Sequence, residues 1–195
     1  MKKFKPRFKI CVSGAAAGES MKLSKKSAEA VGSAVARAGA ILTTGATTGL
    51  PAYAATGAKK AGGMVFGFSP ASTKGEHTRK YRLPLTDMDA VIFTGSGYAG
   101  RNLILTRSSD AVIIVGGRIG TLNEFTIAFE DRKVIGVLEG SGGITLELKD
   151  ILNIAKKGKK HVLFDADPAK LVKRVIKEVI FAERHYHDKR RQKED

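Results

Sequence analysis

The chain has 195 residues, 43% of them hydrophobic, and 34 Lys plus Arg against 19 Asp plus Glu, for a formal charge of +15. That length and apolar share suit one domain with a sizeable core, and no apolar run nears the roughly 20 residues that span a bilayer. The start lacks an apolar h-region and a small-residue cleavage site, and the single Cys11 has no partner for an internal disulfide. A cytoplasmic protein without membrane contact is expected.

So basic a chain raises the question of nucleic acid, but the charge distribution argues against it. Residues 1–9 carry five basic groups and no acid, residues 183–195 carry five basic and four acidic groups, and the body keeps +9. With no Trp and 7% aromatics, a stacking platform for single strands is poorly supplied. A lysine-rich solvated surface is expected instead, with basic, flexible termini at 1–7 and 183–195 around a domain over 8–182.

Short β-branched runs alternate with helical patterns from end to end. This predicts an α/β fold: a single-domain, Rossmann-like parallel sheet of about seven strands with helices on both faces. In chain order, strand Phe8–Val12 leads through SGAAAGES (13–20) into a helix over Met21–Ala38, with Leu23, Ser27, Ala30, Val31, Ala34, Val35 and Ala38 on its apolar stripe. Strand Ala40–Thr43 runs into TGATTGLP (44–51). Strand Met64–Phe68 runs into a Pro/Ser/Thr/Gly stretch, Ser69–Gly75, which with Glu76 and His77 reads as a surface loop. Strand Ala90–Phe93 precedes TGSGYAGRN (94–102), and Ala111–Val115 precedes VGGRIGTLNE (115–124). Phe125, Ile127, Ala128 and Phe129 then form core or a face for a twin subunit. Strands Val134–Leu138 and His161–Phe164 complete the sheet. Asp167 and Pro168 open a last helix through Leu171, Val172, Val175, Ile176, Val179 and Ile180.

Four strand-to-helix turns are thus glycine-rich, and parallel strands bring them to one edge. A helix N-terminus offers unpaired N–H groups and a positive dipole end, and glycine lets the backbone close on a phosphate. Ser13, Gly14, Gly45, Thr48, Gly49, Gly97, Gly100 and Gly116 are the candidates in these turns for a phosphorylated small molecule. Two standard motifs fail. The run from Gly14 to Ser20 is one residue short of a P-loop and has Glu19 where the phosphate-binding Lys belongs. Gly95, Gly97 and Gly100 satisfy G-x-G-x-x-G, but the next strand ends in Val115 and Gly116 without the ribose-binding acid, so no standard NAD site is expected. His185 and His187 lie at i, i+2 with no Cys or clustered acids beside them, and no metal site is expected. Thr121 and Glu124 also fit a capping box, and Asp110 fits a structural role in the turn before its strand.

The stretch from Arg101 and Asn102 through Ser109, Asp110 and Ala111 to Gly116–Glu124 resembles the LOG family of nucleoside 5′-monophosphate phosphoribohydrolases. That family's hallmarks are an Arg-Lys pair, then Ser-Asp-Ala, then P-G-G-x-G-T-x-x-E. Arg101, Asp110 and Glu124 keep its register without a gap, and the likeness extends from roughly Ile10 to Leu138. It implies that Arg101 and Glu124 flank the bond between base and ribose. Glu124 would act on a water and on the oxocarbenium-like ribose, with Arg101 holding the substrate or steadying the carboxylate. Gly117, Gly120 and Thr121 would supply donors to the 5′-phosphate, no cofactor would be required, and a homodimer or higher homo-oligomer would form. Three positions depart from the pattern: Gly116 replaces its Pro, Arg118 its second motif glycine, and Asn102 its Lys. Arg118 can itself pair with phosphate. The pair Arg101/Asn102 is similar to that of the molybdenum-cofactor carriers, so the alternative is a non-catalytic binder of a nucleotide or molybdopterin.

Overall fold

All seven strands are parallel and lie in one sheet, with helices on both faces. The computed structural model describes residues 7–156 and 161–194, with side chains as far as residue 183 except that of Ser20. The strands are β1 (Lys9–Gly14), β2 (Ile41–Thr44), β3 (Met64–Ser69), β4 (Ala90–Phe93), β5 (Ala111–Val115), β6 (Val134–Leu138) and β7 (Val162–Asp165). The helices are α1 (Glu19–Leu23), α2 (Lys25–Arg37), α3 (Leu50–Lys60), α4 (Gly97–Ser108), α5 (Ile119–Glu130), α6 (Leu148–Ala155) and α7 (Pro168–Glu194). The strand order is β4-β3-β2-β1-β5-β6-β7, so the chain moves outward from β1 on one side and resumes at β5 on the other. That reversal opens a crevice beyond the carboxyl ends of β1 and β5, where sheets of this kind take ligands.

The central strands β5 and β6 are buried at every position, as strands covered on both faces must be. Side chains alternate between two cores. Ile10, Val12, Leu42, Val65 and Ile113 pack on the side of α2, α3 and α7, and Cys11, Val112, Ile114 and Ile135 pack on the other side with Phe125, Ala128 and Leu148. Phe125 and Ala128 are therefore core residues. Cys11 is a buried free thiol. Asp110 ties β5 to β1, accepting the Lys9 backbone N–H at 2.7 Å and its Nζ at 3.0 Å.

The helix expected over Met21–Ala38 breaks at Ser24. Its side chain is buried, and its hydroxyl donates to the Ser141 carbonyl at 2.9 Å, which a continuous helix surface would not permit. Leu23 points outward at 80% exposure, and the buried stripe is Ala28, Val31, Gly32 and Val35. These residues are small because α2 and α3 touch backbone to backbone. A Cβ on Gly32 would strike the Ala54 carbonyl, and one on Gly57 would strike that of Glu29. Gly57→Val is expected to cost about 2 kcal/mol through overpacking, read as a lower urea midpoint. An unchanged midpoint would show that the helices separate freely.

The segment after β3 is more than a surface loop. Glu76–Lys80 forms a π-helical turn, and His77 is fully buried. Its Nε2 lies 3.0 Å from the Pro84 carbonyl and its Nδ1 2.8 Å from the Ser69 hydroxyl. A carbonyl only accepts, so Nε2 carries the proton and Nδ1 accepts from Ser69. At the other end of the chain, the Asp167 side chain accepts the Lys170 N–H at 2.8 Å, capping α7. Leu171, Val172, Val175 and Val179 are buried against the sheet. The helix continues to Glu194, so the backbone of the expected flexible C-terminal tail is helical. Residues 1–6, the lysines at 157–160 and the side chains of His185 and His187 lie outside the described residues.

Candidate functional site

A cavity of about 550 Å³ occupies the crevice at the strand reversal. Its walls come from the turn after β1, the turn between β2 and α3, the first turns of α4, and the turn between β5 and α5. Residues distant in sequence meet there because parallel strands deliver all four turns to the same sheet edge.

Glu124 stands in the second turn of α5, buried at 7% exposure, and its carboxylate accepts a hydrogen bond from the Ser13 hydroxyl at the end of β1. This excludes the capping-box reading. The helix starts at Ile119, the cap position is Arg118 with no side-chain bond, and Thr121 lies inside the first turn. Burial pushes the Glu124 carboxyl above the usual carboxylate range; the charge of Arg101 and the hydrogen bond from Ser13 pull it part of the way back. Below it, burial raises the Cys11 thiol well above its ordinary value, and the negative charge of Glu124 adds to the rise against Arg101 and Thr43.

Arg101 is buried at 6% exposure on α4. Its Nη1 donates to the Gly45 carbonyl and, at 3.2 Å, to that of Phe68, while its Nε donates to Asn102 Oδ1 at 3.2 Å. The Asn102 amide donates in turn to Asn123 Oδ1 at 3.0 Å. The Tyr98 ring lies over the guanidinium, 5.9 Å from Cζ to centroid. Three oxygens thus hold the guanidinium, which braces the turn after β2 against the end of β3 while its charge acts on Glu124.

Of the residues expected here, Ser13, Gly14, Gly45, Arg101, Asn102, Arg118, Gly120, Thr121 and Glu124 line the cavity. The other six shape the loops behind it. Thr48 donates to the Ala16 carbonyl at 3.1 Å, while its neighbour Thr47 faces the cavity. Gly49 has φ +75°, and a Cβ there would strike the backbone of Ala15 and Ala16, so it locks the turns after β1 and β2 together. Gly97 and Gly100 sit in the first turn of α4. The Gly116 N–H is taken by Ser141 Oγ at 2.8 Å, and the Gly117 carbonyl accepts from Ile144 N–H at 3.0 Å. Both glycines are therefore braced by the turn after β6.

Thr47, which like Thr48 could donate to a phosphate, is in the lining, and unforeseen there are Val12, Ala15, Ala16, Ala17, Pro51, Tyr98 and Ile119. Most lie between or beside the glycines and carry no signal of their own. None of α3, α4 and α5 has a side-chain cap at its N-terminus. The side chain of Arg118, exposed at the mouth beside α5, has no hydrogen-bond or ion-pair partner among the described residues. Also among the described residues, no group of three His, Cys, Asp or Glu could hold a metal ion, and no helix is long and apolar enough to cross a membrane.

An uncharacterised protein of Archaeoglobus fulgidus is 37% identical over 123 residues, which is 63% of this chain and 76% of that protein. The molybdenum cofactor binding protein of Rippkaea orientalis is similar in structure, with a TM-score of 0.72 and 28% identity over 90% of this chain and 98% of its own. The molybdenum cofactor carrier protein of Chlamydomonas reinhardtii gives a TM-score of 0.68 and 26% identity, covering 89% of this chain and 99% of that one. The family model of the SLOG cluster4 family matches residues 7–172, and with a cavity built from that same span the chain belongs to the SLOG cluster4 family.

Proposed function

We propose that the cavity binds a phosphorylated, nucleotide-like ligand, with its phosphate at the N-terminus of α5. The observation that carries this reading is the side chain of Arg118, unpaired among the described residues beside the uncapped first turn of that helix at the cavity mouth. Free N–H groups, a positive dipole end and a guanidinium converge on one place, which suits a phosphate monoester. The cavity volume of about 550 Å³ lies within the range of small-molecule sites.

Two uses of such a ligand have support. Hydrolysis of the N-glycosidic bond is favoured by Glu124, a buried carboxylate with a raised pKa, held by Ser13. In that reaction Glu124 takes a proton from water, the water oxygen bonds to the ribose C1′, and the bond to the base breaks with its electron pair. The proton held on Glu124 passes to the departing base, which restores the carboxylate, and ribose 5-phosphate remains. Carriage without chemistry is favoured by the likeness to the two molybdenum-cofactor proteins and by the Arg101/Asn102 pair.

One experiment separates the two. A panel of nucleoside monophosphates is incubated with the protein and with its Glu124→Gln variant, and the products are resolved by chromatography. Free base from the wild type alone is the outcome expected of a hydrolase. Saturable binding of nucleotide or molybdopterin without release supports the carrier. Absence of binding by either ligand class sinks the reading as a whole.

A further inference from the structure

The cavity's one aromatic lining residue is Tyr98, in the first turn of α4, and half of its surface is open. Its ring meets that of Tyr81 edge to face, with centroids 5.5 Å apart and planes at 85°. Tyr81 ends the π-helical turn Glu76–Lys80, which buried His77 pins to Ser69 and Pro84. The buried guanidinium of Arg101 lies against Tyr98 as well. An exposed aromatic would ordinarily swing between rotamers. This one is held by a second ring, on the turn that His77 anchors, and by a cation fixed by buried hydrogen bonds.

The polar side chains of the same helix that face the cavity are already engaged. Arg101 Nη1 and Nε donate to Gly45, Phe68 and Asn102, and the Asn102 carbonyl and amide are shared between Arg101 and Asn123. A planar ring on Tyr98 therefore meets a π surface beside an Arg and an Asn whose side chains are already tied into hydrogen bonds within the protein. Stacking is tolerant of ring identity, because every heterocycle has a π face, and it grows with ring area.

We propose that Tyr98, braced by Tyr81, is the platform for the ligand's heterocycle, so that the site selects ring area over base identity. This rests on the phosphate-ester reading above, with phosphate at Arg118, ring at Tyr98 and Glu124 between them. Bicyclic ligands bind more tightly than monocyclic ones, and two bicyclic bases with different edges bind alike.

The test is calorimetric titration of AMP, GMP, CMP, UMP and ribose 5-phosphate. It uses the wild type, a Glu124→Gln background in which turnover cannot consume the titrant, and Tyr98→Phe and Tyr98→Leu in each. The expected order is AMP and GMP together, then CMP and UMP, then ribose 5-phosphate. Tyr98→Leu should weaken AMP and GMP roughly tenfold to a hundredfold and leave ribose 5-phosphate unchanged, while Tyr98→Phe keeps the wild-type order. Because leucine keeps the apolar bulk, unaltered ribose 5-phosphate binding by Tyr98→Leu also certifies its fold. If ribose 5-phosphate binds and Tyr98→Leu holds AMP as tightly as the wild type does, the platform is refuted and the phosphate site stands. If AMP and GMP differ tenfold, selection by ring area is refuted. If neither ribose 5-phosphate nor any nucleotide binds, the phosphate-ester reading falls and the platform with it.

Discussion

If the cavity hydrolyses nucleotides as proposed, Glu124→Gln is expected to lower base release by roughly a thousandfold, the scale of losing a general base; in either case it should stabilise the fold at neutral pH. The amide can still accept the Ser13 hydroxyl but cannot take a proton from water. Its effect on stability follows from linkage. Burial raises the Glu124 pKa in the folded protein above its unfolded value of about 4.3. The folded state therefore binds the proton more tightly. The stability linked to that proton is fully present below the unfolded pKa and is lost as pH rises through the folded one. Glutamine carries no such loss. The urea midpoints of the two proteins should nearly coincide near pH 4 and separate toward pH 8 in favour of the variant, by roughly 1 kcal/mol, as is common when a functional strain is relieved. In the wild type, base release should rise with pH through a pKa above the ordinary carboxylate range. A stability difference that stays flat between pH 4 and 8 would contradict the buried, proton-linked carboxylate.

Arg101→Met is expected to cost about 3 kcal/mol of stability and to abolish ligand binding. The substitution keeps much of the apolar stem, so the loss isolates the guanidinium. Without it, the buried carbonyls of Gly45 and Phe68 lose a donor, each at roughly 1–3 kcal/mol when unmatched. Glu124 also loses the nearby positive charge that opposes its burial, and its pKa should climb further. The turn after β2 is then free to drift from the end of β3, and Tyr98 loses the cation beneath its ring. Urea denaturation and a titration with AMP read the two effects. A variant as stable as the wild type but unable to bind would mean that Arg101 serves only the ligand. Arg101→Lys should not rescue, because one ammonium cannot reach the three acceptors that the planar fork spans.

The sheet was legible because each strand is a short β-branched run between turn residues, and only its ends moved by one or two positions. Long-range contacts set what the local pattern could not. Ser24 is of the type that opens helices and stands at the N-cap of α2, but a lone serine does not by itself announce a break. Its partner is Ser141, 117 residues away, and the rotated stripe of α2 answers to the backbone of α3. At the site, glycine marked the turns correctly but only part of the lining, Gly14, Gly45 and Gly120, since the property that singles glycine out is tolerance of tight backbone. Gly49, Gly116 and Gly117 use that property to hold the loops together, whereas Thr47, Tyr98 and the alanines between them form the wall. Thr121 and Glu124 matched a capping box in spacing alone. Only the start of α5 at Ile119 and the reach of Ser13 show Glu124 turned toward the cavity floor.

The order β4-β3-β2-β1-β5-β6-β7 divides the molecule by time of synthesis as well as by space. Everything through α4 can settle on one flank of β1 as it leaves the ribosome, before β5 exists to pair along β1 from Ile10 opposite Ala111 to Gly14 opposite Val115. Ser13 and Glu124 belong to opposite flanks, 111 residues apart, and meet only when that seam closes. An immature chain, however well folded its first flank, has half a cavity and no floor. A ligand held there, between the turn after β1 and the first turn of α5, would be a clasp across the seam.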